Sequence, residues 1–226
     1  MSELATRLRA VKERIARAAD ACGRDAREVL LIAVSKTKPA SAVREAYAAG
    51  QRAFGENYAQ EFVAKAAELA DLTDLEWHFI GHIQSNKAKL VVRGARLVHT
   101  LDSPSLAREL GKRAIQLEAA PLSVLVEVNV GGEPQKHGVA PGDLEETLRA
   151  VLAEPGLTLR GLMTVPPDGG PGVARRVFDT LATLRSLHGG KERLPELSMG
   201  MSADLEDAVA CGATMVRLGT AIFGDR

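Results

Sequence analysis

Lys36 ends an apolar run at 29–34, Val29-Leu30-Leu31-Ile32-Ala33-Val34, shortly before Pro39. Side chains alternate between the two faces of a strand, so Leu30, Ile32, Val34 and Lys36 share one face. Two readings stay open. On an enclosed face the amine sits above a dry core. Burial there favours the neutral form of a lysine, and a neutral amine condenses with an aldehyde to a Schiff base. On an open face Lys36 is a solvated lysine that begins a turn. Lys38, beside Pro39, reads as solvent-facing. A second signal lies near the other end of the chain. Met199-Gly200-Met201-Ser202 and Arg217-Leu218-Gly219-Thr220 each close an apolar stretch and open a helical one. Glycines let backbone N–H groups approach an anion, helix N-termini favour negative charge, and Ser202 and Thr220 add hydroxyl donors. Two ordinary helix caps fit the same residues. Together, an amine across from an anion cradle is what a phosphorylated aldehyde requires.

Other reactive groupings are weaker. His78 and His82 have a spacing that suits metal pairs on helices, but they straddle a strand end and the Gly81 turn, so no metal site is expected. There is neither a Gly-x-Ser-x-Gly elbow nor a Walker-type phosphate loop. Lys136, after Gly131-Gly132, reads either as a surface lysine or as a second amine.

These residues need a scaffold that gathers distant segments. Strands are expected at 29–35, 52–55, 76–80, 96–100, 123–129, 158–163, 196–199 and 214–218. Helices are expected at 41–49, 58–69, 86–92, 104–117, 143–153, 173–187 and 203–211. Ser103-Pro104 supplies a cap and a first-turn proline, after which Leu106, Leu110, Ala114 and Leu117 fall on one face. Ser202 is expected to cap the last long helix, and Gly212 and Gly50 to end helices with positive φ. Strands alternating with helices over this length predict an α/β fold: a single (β/α)8 TIM-type barrel spanning 1–226 as one domain, with a doubly wound open sheet as the alternative. Leu4, Leu8, Val11 and Ile15 recur at helical spacing and predict an extra N-terminal helix that fills the gap where an eighth crossover helix would pack. In such a barrel the strand ends gather Lys36, Glu56-Asn57, Gly81-His82, Thr100, Asn129, Thr164, Ser202 and Thr220 at one mouth.

Composition narrows the partners. Lys plus Arg and Asp plus Glu are each 29 of 226 residues, which gives zero formal charge and no basic stripe for nucleic acid. There is no apolar stretch long enough for a membrane span. Charges scattered through 2–21, including Glu3, Glu13 and Asp20, argue against a signal peptide or presequence. Cys22 and Cys211 read as free thiols of a cytoplasmic protein.

The same motifs carry a family resemblance. They are Ala33-Val34-Ser35-Lys36-Thr37-Lys38-Pro39, Phe54-Gly55-Glu56-Asn57-Tyr58, Trp77-His78-Phe79-Ile80-Gly81 with Gln84-Ser85-Asn86-Lys87, and Asn129 with Glu133, Lys136 and Gly138. Gly161-Leu162-Met163, Leu197-Ser198-Met199-Gly200-Met201-Ser202 and the run from Met215 to Gly224 complete them. In this order and spacing the chain resembles the pyridoxal phosphate homeostasis protein family along nearly its whole length. The resemblance implies a barrel like the N-terminal domain of alanine racemase, with pyridoxal 5′-phosphate (PLP) on Lys36. It implies that Ser202, Gly219 and Thr220 hold the phosphate, that Arg217 faces the pyridine nitrogen and disfavours its protonation, and that Asn57 lies beside the cofactor, with Met199 also counted as cofactor-binding. The role implied is buffering PLP and handing it transiently to PLP-dependent apo-enzymes, as a monomer and without an established reaction. A PLP-dependent amino-acid racemase or decarboxylase of the same barrel type is the alternative. Such enzymes add a β-rich domain with a catalytic tyrosine; with Arg226 six residues after Thr220 that domain is not expected here, and of the two tyrosines Tyr47 reads as mid-helix while Tyr58, opening a helix near the mouth, stays a candidate. A Schiff-base aldolase needs the lysine and the phosphate site but no arginine at a ring nitrogen. The glycine-rich segment 164–172 departs from the family pattern, which puts any partner contact there in doubt.

Overall fold

The computed structural model describes residues 2–169 and 172–224; Gly170 and Pro171, within the segment expected to depart from the family, lie outside them. Eight parallel strands close into a barrel in chain order, the last pairing with the first. The open-sheet alternative is therefore excluded. The order is α1 (Glu3–Ala21), β1 (Leu30–Val34), α2 (Ala40–Ala48), β2 (Ala53–Glu56), α3 (Ala59–Glu68), β3 (Glu76–Phe79), α4 (Ala88–Val92), β4 (Leu97–Leu101) and α5 (Pro104–Gln116). Then come β5 (Leu122–Glu127), α6 (Leu144–Leu152), β6 (Leu157–Met163), α7 (Val173–Leu187), α8 (Gly190–Arg193), β7 (Glu196–Ser198), α9 (Leu205–Ala210), β8 (Met215–Leu218) and α10 (Thr220–Phe223).

Strand alternation divides the core into two layers. Inward-facing Ile32, Ala53, Leu97, Leu125, Met163 and Met215 fill the barrel. Outward neighbours such as Leu31, Ala33, Val124, Val126, Val216 and Leu218 pack under the helices. Each fully buried Leu or Phe contributes roughly 1.5–3 kcal/mol. Between β2, β3 and α3, Phe62 meets Trp77 and Phe79 edge-on with ring centroids 5.9 and 6.2 Å apart.

Helix ends follow local chemistry. Ser103 Oγ accepts from the Leu106 N–H and Pro104 takes the first turn of α5. Gly50 and Gly212 have φ of 88° and 89° after α2 and α9. The expected cap of α9 is corrected: Ser202 lies in the preceding turn, Asp204 occupies the cap position, and its Oδ1 accepts from the Met201 N–H at 2.5 Å. The intervening turn needs those residues before the helix can begin. Among the described residues β8 is followed by the four-residue α10, and α1 packs against it and against α2 and α9. Leu4, Leu8, Val11 and Ile15 are all buried in that seam. No helix among the described residues is long and apolar enough to cross a membrane. Cys22 and Cys211 are free.

Candidate functional site

The turn carrying Lys36 is fastened from beneath. Ser35 donates its N–H to the Gly55 carbonyl at 3.0 Å and its hydroxyl to Glu56 Oε1 at 2.6 Å. Buried Lys65, on α3, donates to the Ser35 carbonyl at 2.6 Å and to Glu56 Oε1 and Glu61 Oε1 at 2.7 Å. Glu61 also accepts the Thr37 N–H at 2.6 Å, and Thr37 holds a left-handed φ of 63°. Burial pushes the Glu56 carboxyl up, against the pull of Lys65 and Ser35. Lys36 itself is half-buried, with no hydrogen bond or ion pair among the described residues. Lys38 is a correction: it is half-buried rather than solvent-facing, because its ammonium donates to the Gly224 carbonyl at 3.1 Å, across the β1–β8 seam.

The glycine-rich segments adjoin this turn. Ala33 is in register with Leu218, and a Cβ on Gly219 would stand 3.2 Å from the Val34 carbonyl oxygen. The Arg217 N–H donates to the Gly200 carbonyl at 2.9 Å. Gly200 has φ of 100°, and a Cβ there would meet Ala208 at 2.5 Å, so only glycine lets this loop lie on α9. Arg14 of α1 holds the loop from outside, donating to the Ser202 carbonyl at 2.7 Å while gripping both Glu206 oxygens at 2.5 Å.

Beneath the mouth runs a polar column. The buried Arg217 guanidinium donates to Ser198 Oγ at 2.6 Å and to the Thr164 carbonyl at 3.1 Å. Ser198 Oγ is 2.8 Å from His99 Nδ1, and His99 Nε2 is 2.9 Å from His78 Nδ1. An arginine only donates, so Ser198 accepts from it, and passing its own proton to His99 leaves His99 donating to His78. This assignment pairs every ring nitrogen of the column except the terminal His78 Nε2, which has no partner among the described residues. Burial keeps both rings neutral: His78 is pushed down to about 4, with Arg96 adding to the effect, and His99 is lowered well below its usual value. Burial also lowers Arg217, to about 10, against the opposing attraction of Glu127 and Asp204. Glu127 stands at the inward-facing end of β5. Burial and then the Asp102 charge push it up to about 7, while Arg217 pulls it down. At neutral pH Glu127 is thus able to give or take a proton.

The sequence-predicted residues fall on four adjoining strand ends. Lys36 follows β1, Asn57 follows β2, Met199 and Ser202 follow β7, and Arg217 with Gly219 and Thr220 belongs to β8 and its exit. Asn57 Oδ1 is buried and unpartnered among the described residues. Gly81 abuts it, since a Cβ there would be 2.0 Å from the Asn57 carbonyl oxygen. The Met199 side chain, by contrast, is buried in the outer core, and Thr220 is exposed. Tyr58 is also exposed, at the start of α3. Lys136 lies across the mouth from Lys36, 2.7 Å from Glu133 and donating to the Pro166 carbonyl at 3.0 Å. Sequence reasoning missed Glu127, Ser198, His99 and Lys65. Alternation from Leu125 would have pointed Glu127 inward, but nothing local pairs His99 with Ser198, which the chain separates by 99 positions.

Known proteins resemble this chain in sequence and in fold. The alanine racemase N-terminal domain model matches residues 6–226. The pyridoxal phosphate homeostasis protein of Escherichia coli K12 is 46% identical over 232 residues, covering 100% of this chain and 98% of that protein. Its counterpart in Pseudomonas aeruginosa is 50% identical over 228 residues, covering 100% and 97%. The structure of PipY from Synechococcus elongatus with PLP bound matches with a TM-score of 0.85 and 38% identity, over 98% of this chain and 100% of that one. Alanine racemase from Corynebacterium glutamicum shares the fold, with a TM-score of 0.65 and 21% identity over 97% of this chain and 61% of the racemase.

Proposed function

The chain belongs to the pyridoxal phosphate homeostasis protein family, built on the alanine racemase N-terminal domain, and from that premise we propose that it binds PLP at the mouth of its barrel and serves intracellular PLP homeostasis. The observation that carries this reading is the meeting of Lys36, the Gly200 and Gly219 loops and a buried Arg217 on three adjoining strand ends. The residues fit the cofactor on structural grounds. Among the described residues Asn57 Oδ1 is a buried acceptor that lacks a partner and Lys36 is unengaged, and Gly219 brings the main chain close to β1 without a side chain in the way.

When bound, PLP supplies an aldehyde for reversible carbon–nitrogen exchange and a ring that can draw off electrons. In this reading Lys36 Nζ would hold the aldehyde carbon as a reversible tether, with water released on capture and taken up again on release. The main-chain N–H groups around Gly219 and Thr220, with the Ser202 hydroxyl, would hold the phosphate, Arg217 would serve the ring nitrogen and Asn57 the ring. Arg217 is held by neutral partners, Ser198 and the Thr164 carbonyl, so its positive charge is free to keep that nitrogen unprotonated. An unprotonated ring is a weaker electron sink, which suits holding and release better than carbanion chemistry. Release goes to PLP-dependent apo-enzymes through transient encounters, with the protein acting as a cytoplasmic monomer.

Borohydride reduction of PLP-saturated protein, followed by peptide mass spectrometry, tests the tether. A phosphopyridoxyl group on Lys36 is the expected result, abolished in Lys36→Ala; an unmodified Lys36 overturns the proposal. Reactivation of an apo-enzyme by the loaded protein tests delivery, and a sedimentation mass of one chain tests the monomer.

A further inference from the structure

Opposite the Lys36 side of the mouth, the exits of β3, β4 and β5 bring together His82, Asp102 and His137. Their ligand atoms all lie within 4.8 Å of one another. Asp102 Oδ2 is 3.2 Å from His82 Nδ1 and 4.0 Å from His137 Nδ1, and the two imidazoles stack with centroids 3.7 Å apart and planes 8° apart. Both nitrogens thus converge on one carboxylate oxygen from the same side.

The scaffold beneath is built. Thr100 donates its hydroxyl to the Gly81 carbonyl at 2.6 Å, tying the end of β4 to the turn that carries His82. Asn129 Nδ2 donates to the Glu133 and Lys136 carbonyls at 2.9 and 3.3 Å, folding the loop that carries His137. Val139 closes that loop, with its N–H on the Glu127 carbonyl and its own carbonyl accepting from the Asn129 N–H. The surroundings also favour a cation, because Asp102 acts electrostatically on Glu127 and no salt bridge to a lysine or arginine reaches Asp102 among the described residues.

We propose that His82, Asp102 and His137 form a binding site for a borderline divalent cation such as Zn2+, which fastens the β5–α6 loop to the exits of β3 and β4. Two imidazole nitrogens and one carboxylate oxygen suit that class of metal, and three protein ligands leave a coordination position open to solvent. His82 and His137 are exposed, so they can adjust to ligand distances of about 2.0–2.2 Å without disturbing the core. The site stands apart from the PLP reading and shares no residue with it.

The test uses the full chain after chelator treatment. Co2+ is titrated and followed by its visible absorption, and Zn2+ is titrated against a chromophoric chelator. One equivalent is expected to bind. His82→Ala and His137→Ala are each expected to weaken binding by more than the roughly 10–100-fold typical of losing an outer-shell partner. Zn2+ is also expected to slow amide exchange across 130–139 in the unaltered protein but not in His137→Ala. No binding, binding unchanged in both variants, binding that disappears instead with Cys22→Ser, or Zn2+ binding that leaves exchange at 130–139 unaltered overturns the proposal.

Discussion

The proposed tether role of Lys36 requires its turn to be held still, and the holding falls to residues that do not face the mouth. Lys65 is the centre of that support, since it binds the Ser35 carbonyl, Glu56 and Glu61 at once. Lys65→Met strands Glu56, which is fully buried, without its cation. A loss of about 3–5 kcal/mol in urea unfolding is expected, with part recovered on adding Glu56→Gln. The tether is expected to suffer as well, seen as a lower yield of the reduced Lys36 adduct at fixed PLP in the fraction that remains folded. At the ring, Arg217→Lys keeps a charge but loses the fork that reaches both Ser198 and Thr164. Its expected effect is a shifted absorption of the bound PLP and weaker binding by roughly tenfold, the worth of about 1.4 kcal/mol.

At the scale of elements, α1 has two tasks. It seals the seam that α10 is too short to cover, burying Leu4, Leu8, Val11 and Ile15. It also reaches, through Arg14, the carbonyl of Ser202 in the anion loop. Deleting residues 2–21 removes six apolar side chains from the core, of which Leu4, Leu8, Val11 and Ile15 are each worth roughly 1.5–3 kcal/mol, so the melting temperature is expected to fall steeply; unchanged melting would refute the seam. Arg14→Ala separates the tasks. Its fold is expected to survive, because Arg14 and Glu206 are partly exposed, while PLP affinity drops several-fold in an equilibrium titration.

The whole barrel carries a pH dependence of its own. The column of Arg217, Ser198, His99 and His78 needs neutral rings, and burial lowers both histidines in the folded state. Through these two rings the unfolded chain binds more protons than the native one, so their contribution to stability rises with pH; Glu127, which burial raises to about 7, contributes with the opposite sign and its share is lost as pH rises through that value. The contribution of His78 is fully present above about 6.5 and is lost as pH falls toward about 4. For a shift of that size the loss is on the order of 3 kcal/mol. Urea unfolding of the unaltered protein and of His78→Gln, whose amide oxygen can still accept from His99 Nε2 but does not titrate, checks it: the stability difference between the two is expected to shrink by that amount from pH 7 to 4.

Much of this molecule is local, and so was legible in the chain. Alternation in 29–34 determined that Ile32 faces inward and Leu31 and Ala33 outward, and the spacing of Leu4, Leu8, Val11 and Ile15 determined the buried stripe of α1. Periodicity and capping act over a few residues, so strand and helix identities and the closed barrel followed from them. Ser202 failed as a cap because the turn after β7 runs on to Asp204, whose carboxylate accepts from the Met201 N–H within that turn and not from α9. Lys38 failed because its partner, the Gly224 carbonyl, is brought to it by barrel closure. The same holds for the polar column, for Lys65 under Lys36, and for the meeting of His82, Asp102 and His137. Lys36 was visible in the chain as a lysine at the end of an apolar strand. What surrounds it was decided by tertiary structure, because closing β1 onto β8 and β2 sets side by side residues that no local period relates.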